Sequence, residues 1–310
     1  MPEAPLIART RAQDEAPFAP VDYGLYAVTV MAWSFSWYAL SLQPGVVANE
    51  VSIAYRFALA AAIMLVWALA SGRRMRFAAR EHAAFAAMGV LIFSTNFLFF
   101  YYGSSFLVSG LLSVVFSLAS LTNVFVAALA YREWPSTRTV AAGAIGFAGI
   151  ALMFWPKITE GGFDTDVARG LALCITGTLC FSVGSLISSR LSRRRAEIPL
   201  VSANAWGMVY GAAWCAVLAL IMGKPFGWDP RPEYLFALVF LAVVSTVIAF
   251  AAYLTLVGRI GSGRAGYATV IFPIFALLVS TVLEGYEWTF TAFGGLALVI
   301  AGNVMVMRGR

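Results

Sequence analysis

Sliding the chain along itself by 151 residues lays Ser94 and Thr95 on Ser245 and Thr246, Phe99 on Phe250, Tyr102 on Tyr253, Gly110 on Gly261, Glu133 on Glu284 and Gly143 on Gly294, without a gap. Upstream the offset shortens to 150, where Val51 and Ser52 meet Val201 and Ser202. It then shortens to 146, where Gly24-Leu25 meets Gly170-Leu171 and Phe35-Ser36 meets Phe181-Ser182. Each copy holds five apolar runs of about 20 residues, the length that crosses bilayer hydrocarbon. They lie at roughly 22–42, 49–70, 83–102, 105–130 and 139–155, then 168–189, 200–222, 234–257, 264–283 and 289–307. Lipid offers no partner for free backbone groups, so all ten are expected to be helices. Because five is odd, the second copy enters the bilayer from the opposite side. The expected fold is an all-α membrane protein of ten transmembrane helices in two inverted five-helix repeats. Its parts are a cytoplasmic N-terminal segment over 1–21, a first repeat over 22–155, an external linker over 156–167 and a second repeat over 168–310. Inverted repeats about a midplane site are the build of alternating-access transporters.

Composition agrees with a bilayer: with 61% hydrophobic and 12% charged residues, the 310-residue chain has too few charges to solvate a globular surface. The basic residues set the orientation. With the N-terminus in the cytoplasm, 16 of the 21 Lys and Arg fall on inside segments, against four outside (Lys157, Arg169, Lys224, Arg231) and Arg56 within a span. The positive-inside rule therefore puts both termini in the cytoplasm. The net charge of +6 is accounted for by these loops and calls for no nucleic acid. No apolar core precedes residue 21, so no cleavable signal peptide is expected. Cys174, Cys180 and Cys215 fall inside spans without paired spacing and read as small apolar residues, with no metal or cofactor site.

Polar residues inside lipid are costly and are expected to face water or another helix. Span four carries Ser109, Ser113, Ser117 and Ser120 on one face, then Thr122 and Asn123; span six carries Thr178, Ser182, Ser185 and Ser189. Such stripes suit close helix packing or a polar cavity. Ser94-Thr95-Asn96 in span three and Tyr267 with Thr269 in span nine favour the cavity. Pro273 interrupts span nine and is expected to kink it and free a carbonyl near Thr269, a gating position whose counterpart is Thr122 beside Asn123. Trp37, next to Ser36, is the best candidate among the aromatic residues for a wall of the site.

Between the span ends there is no Asp, Glu, Lys or His, the groups that proton relays use. Arg56 alone intrudes, and is expected to be structural, reaching outward or bonding to Glu50 and loop carbonyls. His82 is expected to be solvated at the start of span three. With no reactive cluster in the membrane, an enzyme has nothing to work with. Glu133 and Glu284 close the penultimate span of each copy and read as structural staples of their hairpins, bonded to Arg132, Arg138 or turn amides. Ala142, Gly146 and Gly149 in span five, and Ala297 and Ala301 in span ten, form small-residue faces for helix packing or a dimer.

Phe35-Ser36 and Phe181-Ser182, with Glu133 and Glu284 followed by Gly143 and Gly294, resemble the ten-span branch of the drug/metabolite transporter superfamily, built from two EamA-type repeats. The likeness covers nearly the whole chain. Within that superfamily the chain is most similar to the YddG-type exporters of aromatic amino acids. The resemblance implies export of aromatic and other neutral amino acids, such as Phe, Trp or Met, across the cell inner membrane, by a monomer or homodimer in the lipid bilayer. It also implies a cavity lined by spans one, three, four, six, eight and nine. Two departures stand out: Thr122-Asn123 replaces a proline in span four, and no first-span carboxylate is present to couple export to protons. The expected substrate contacts are Ser36, Trp37, Asn96, Ser117, Asn123, Ser182 and Tyr267. Another uncharged metabolite, a nucleoside or a sugar, is the rival cargo; a non-transporting membrane receptor or scaffold is the rival class.

Overall fold

The structure, a computed structural model, describes residues 18–159, 164–195 and 197–307. Among these residues it is all helix. The ten helices are α1 (Pro20–Ser41), α2 (Asn49–Ala70), α3 (Ala79–Gly103), α4 (Ser109–Tyr131), α5 (Thr137–Thr159), α6 (Thr165–Arg194), α7 (Leu200–Ile221), α8 (Pro232–Gly261), α9 (Ala268–Glu284) and α10 (Phe290–Met307). Nine of these segments are long and apolar enough to cross a bilayer. The exception, α1, has the length at 22 residues, but three Tyr, two Trp and three Ser dilute its aliphatic content. These are residues that a helix facing a protein interior tolerates and one facing lipid alone does not. Of the expected N-terminal segment, residues 1–17 lie outside the described residues; of the expected linker over 156–167 only 160–163 do, and its flanks belong to α5 and α6.

Close packing fixes the neighbours. α5 lies along α10, α2 along α7, and α9 against both α1 and α4. α6 packs on α3 and α4, while α8 packs on α1 and α2. Glycine sets the α5–α10 distance: a methyl group on Gly149 would stand 2.6 Å from the Gly295 carbonyl oxygen, and one on Gly302 would stand 2.7 Å from that of Ala142. The small face of α5 therefore packs within the chain. On α10 the face packed within the chain is Gly295, Val299 and Gly302, while Ala297 and Ala301, expected to serve helix packing or a dimer, are exposed and take no part in that packing.

Two helices depart from α-helical bonding at matching places. Leu91–Thr95 of α3 and Phe240–Ile248 of α8 are π-helical, and the 151-residue offset sets the first within the second. The Ser-Thr pair that marks the repeat supplies a hydroxyl to each widened turn. Ser94 Oγ lies 2.8 Å from the Val90 carbonyl and 3.1 Å from that of Gly89; Thr246 Oγ1 donates to the Leu241 carbonyl at 2.7 Å. Such π turns concentrate at functional sites.

Candidate functional site

The centre of the bundle is aromatic. Trp37 of α1, 6% exposed, meets Phe100 of α3 edge-on at 5.0 Å, Phe116 of α4 at 5.4 Å and Phe272 of α9 in a parallel arrangement at 6.4 Å. Phe181 of α6 closes on Phe116 at 4.9 Å, and Trp33 meets Tyr253 of α8 at 5.2 Å. Six of the ten helices thus converge through rings, in the edge and offset geometries that aromatic quadrupoles favour.

Around this cluster the expected contacts separate. Asn96, 1% exposed, spends its amide on the Ile92 carbonyl at 3.1 Å and leaves its Oδ1 unpartnered. Asn123 Oδ1 is likewise without a partner. A buried amide oxygen with no donor carries a desolvation cost that a ligand N–H or O–H would relieve. Ser182 Oγ is 2.6 Å from Thr122 Oγ1, so this pair of hydroxyls joins α4 to α6. Ser117 is turned elsewhere: it donates to the Val114 carbonyl at 2.7 Å and accepts from Asn303 of α10 at 3.4 Å. Ser36 is half-buried and bonded to its own helix at the Trp33 carbonyl, 2.7 Å away. Ser113 and Ser120 also bond three residues back, so the α4 stripe serves packing, with Gly110 pressed on Leu277 of α9. This back-bonding interrupts α4 at Leu118 without help from a proline.

Pro273 does sit inside α9. Beside it stands Ser34, absent from the expected set, whose Oγ lies 2.7 Å from the Val30 carbonyl and 2.9 Å from that of Phe272. Tyr267 begins α9 on the wall of a cleft of about 580 Å³ between α1 and α9. The cleft extends from Phe18, Asp22 and Arg264 at one end to Met31 and Phe275, both exposed, at the other, with Val30 one helical turn short of Ser34. At the first of these ends Asp22 is ion-paired with Arg259, and the Arg264 guanidinium lies 4.0 Å over the Phe18 ring.

The two glutamates are unequal. Glu284 accepts from the Ser109 backbone N–H at 3.0 Å, from Ser109 Oγ at 2.5 Å and from Ser41 Oγ at 3.2 Å. It therefore ties the end of α9 to the first turn of α4 and the last residue of α1, and is not a staple of its own hairpin. A carboxylate at a helix N-terminus also satisfies free N–H groups and the dipole. Glu133 is exposed. Arg132, at φ 56°, ends α4 before Glu133, whereas α9 runs through Glu284 to a left-handed Gly285 at φ 68°.

Arg56 departs from expectation too. It is 3% exposed and bonds neither Glu50 nor loop carbonyls. Six residues along one helix place the two side chains on different faces, and Glu50 instead accepts from Tyr102. His82 is packed rather than solvated, edge-on to Trp206 at 4.7 Å and 3.0 Å from the Tyr210 hydroxyl.

Ten membrane-length helices around an aromatic centre, with a cleft entering between two of them, define a multi-pass membrane protein of the transporter class. The sequence profile of the EamA-like transporter family matches residues 23–155 and 168–308, and the chain belongs to that family. It is 24% identical over 284 residues to an uncharacterized transporter of Archaeoglobus fulgidus, spanning 92% of this chain and 98% of that one. It is 23% identical to the uncharacterized transporter YyaM of Bacillus subtilis over 80% and 81% of the two chains. The uncharacterized inner membrane transporter YedA of Escherichia coli matches 54% of this chain and 52% of its own length at 24% identity. A solved crystal structure shares the fold at a TM-score of 0.63 and 21% identity, covering 91% of this chain and 94% of that one.

Proposed function

We propose that this protein exports neutral amino acids, aromatic ones among them, across the inner membrane by alternating access between two inverted five-helix repeats. The observation that carries the reading is the inequality of Glu284 and Glu133. Residues in one register of the repeat are latched at one end of the bundle and free at the other, and the cleft lies toward the free end, on the side of Pro20 and Tyr267. With both termini cytoplasmic, as the basic loops favour, this is a state closed to the outside and open to the cytoplasm, ready to load cargo for export. The neighbour pattern supports the repeat. Exchanging α1 to α5 with α6 to α10 turns the α9–α1 contact into α4–α6 and the α2–α8 contact into α7–α3, and all four are present.

Cargo chemistry follows from the centre. Trp37, Phe100, Phe116 and Phe272 offer ring faces to a large apolar side chain, while the unpartnered oxygens of Asn96 and Asn123 suit an ammonium or amide donor. No described Asp, Glu or His stands among these rings, which supports transport down the substrate's own gradient rather than proton exchange. Counterflow of a radiolabelled amino-acid panel in proteoliposomes, with and without a pH gradient, tests the reading. Exchange of Phe, Trp and Met at equal rates in both conditions is expected. Strictly proton-driven accumulation, or a preference for lipophilic cations or nucleosides, would overturn it.

A further inference from the structure

Arg56 lies buried within a span and has no ionic partner among the described residues. Arg56 sits on α2, seven residues in from Asn49, and only 3% of it is exposed. Its one hydrogen bond is a long one, 3.3 Å from Nη2 to Thr246 Oγ1 on the π turn of α8. Nε and Nη1 are buried and without acceptors. The Tyr101 hydroxyl lies beside the guanidinium and has no other hydrogen-bond partner. The rings of Phe97 and Phe57 cover the remaining faces, at 4.3 and 4.9 Å from Cζ.

Guanidinium remains charged in a protein, and its fork of donors matches a carboxylate with two parallel bonds. A buried cation is ordinarily paired, because removing a charge from water is costly unless an opposite charge stands against it. Here no described carboxylate lies within ion-pair distance. Both segments that cover Arg56 adjoin the π turns: Phe97 follows Leu91–Thr95, and Thr246 lies inside Phe240–Ile248. These are the places where α3 and α8 can change pitch without breaking the rest of the helix. Asn96, with its free Oδ1, is the neighbour of Phe97 and belongs to the proposed cargo site.

We propose that Arg56 is the carboxylate receptor of the transport cycle: the cargo's carboxylate takes Nε and an Nη of Arg56 when α3 and α8 shift. The cargo class is thereby narrowed to small molecules that carry a carboxylate beside an apolar body. This rests on the export reading and adds a requirement that reading does not contain, since hydroxyls and amides alone would accept an amine or an amide equally well.

The test is transport by purified protein in liposomes of phenylalanine, phenylalaninamide and phenethylamine, with ligand-induced thermal stabilisation as a second readout. The wild type is expected to prefer phenylalanine by about tenfold or more, the value of a charge-assisted bond. Arg56→Gln should lose that preference. If Arg56→Gln does not fold, Arg56→Lys keeps the charge without the fork. It should bind phenylalanine about tenfold more weakly with the amide unchanged; wild-type affinity for both would overturn the proposal. Equal transport of all three compounds by the wild type, or a folded Arg56→Gln with wild-type discrimination, would overturn Arg56 and leave amino-acid export standing. If phenylalanine is neither moved nor bound while 3-phenylpropionate stabilises the wild type and not Arg56→Gln, the amino-acid reading falls and the carboxylate receptor stands. A wild type that neither moves nor binds any carboxylate overturns both.

Discussion

Replacing Glu284 by alanine removes three acceptor contacts that join α9 to α4 and α1 while leaving every helix intact. Hydrogen bonds to a charged group contribute roughly 1.5–3 kcal/mol each when well sheltered. Glu284 is only half-buried, and water can replace part of what is lost, so about 2–4 kcal/mol for the whole latch is the working figure. The contacts exist only where α9, α4 and α1 converge, so on the proposed cycle their loss destabilises the latched state alone and shifts the balance toward the other. At 1.4 kcal/mol per factor of ten, the outward-open population should rise by about 30-fold or more. Ser113, fully buried one turn behind Ser109, reports it: Ser113→Cys in a background lacking Cys174, Cys180 and Cys215 should react slowly with an external, membrane-impermeant maleimide. Adding Glu284→Ala should accelerate that reaction by the same factor, and Glu133→Ala, whose side chain is exposed, should not. An unchanged rate in folded Glu284→Ala, or equal acceleration by both variants, would refute the latch.

Other outcomes follow from the same geometry. Gly149→Ala should lower thermal stability in detergent by about 1–3 kcal/mol, because its methyl would stand 2.6 Å from the Gly295 carbonyl oxygen, while Gly24→Ala, with nothing within 4 Å, should be silent. Asn96→Ala should leave expression unchanged and weaken apparent substrate affinity several-fold, about 1 kcal/mol, in proteoliposome uptake. Cysteines placed at Gly72 and at Lys224 should label from opposite faces of sealed vesicles, Gly72 from the cytoplasmic face. In the loop before α8, Arg231 donates to Asp229 at 2.6 and 2.8 Å and holds its carboxyl below the usual carboxylate range. A depressed folded value stabilises above the unfolded value of about 3.9 and is lost as pH falls through the folded one. The difference in melting temperature between wild type and Asp229→Asn should accordingly be present at neutral pH and vanish in acid below that range.

The spans were legible because a bilayer imposes one rule on every helix, and hydrophobic length reports it. Which face of a span meets a neighbour was not, since lipid and protein interiors are equally apolar. Hence Ala297 and Ala301 looked like a face for helix packing or a dimer although Gly295 and Gly302 make the packing within the chain, and Ser117 looked like a cargo contact although it turns to Asn303. Partners distant in the chain were hidden for the same reason. Asp22 meets Arg259, and Arg56 meets Thr246 rather than Glu50. The Ser-Thr pair stood out as a repeat marker, but that it widens α3 and α8 into π turns depends on carbonyls five residues back, which no 3.6-residue pattern encodes.

The deepest limit is the one on which transport depends. A repeat in sequence assigns Glu133 and Glu284 one role, yet a carrier can hold only one end shut at a time, so the halves must differ wherever a gate is closed. The difference has a local cause that was written in the chain. Gly285 follows Glu284 and takes the left-handed turn that ends α9 after the carboxylate, whereas Trp134 follows Glu133. Arg132 must then take the left-handed turn, α4 stops short, and Glu133 is left beyond the helix end. On the proposed orientation, a single glycine, present in one repeat and missing from the other, thus biases the pair toward the latched outer end. The cytoplasm-facing resting state proposed for export follows from that bias.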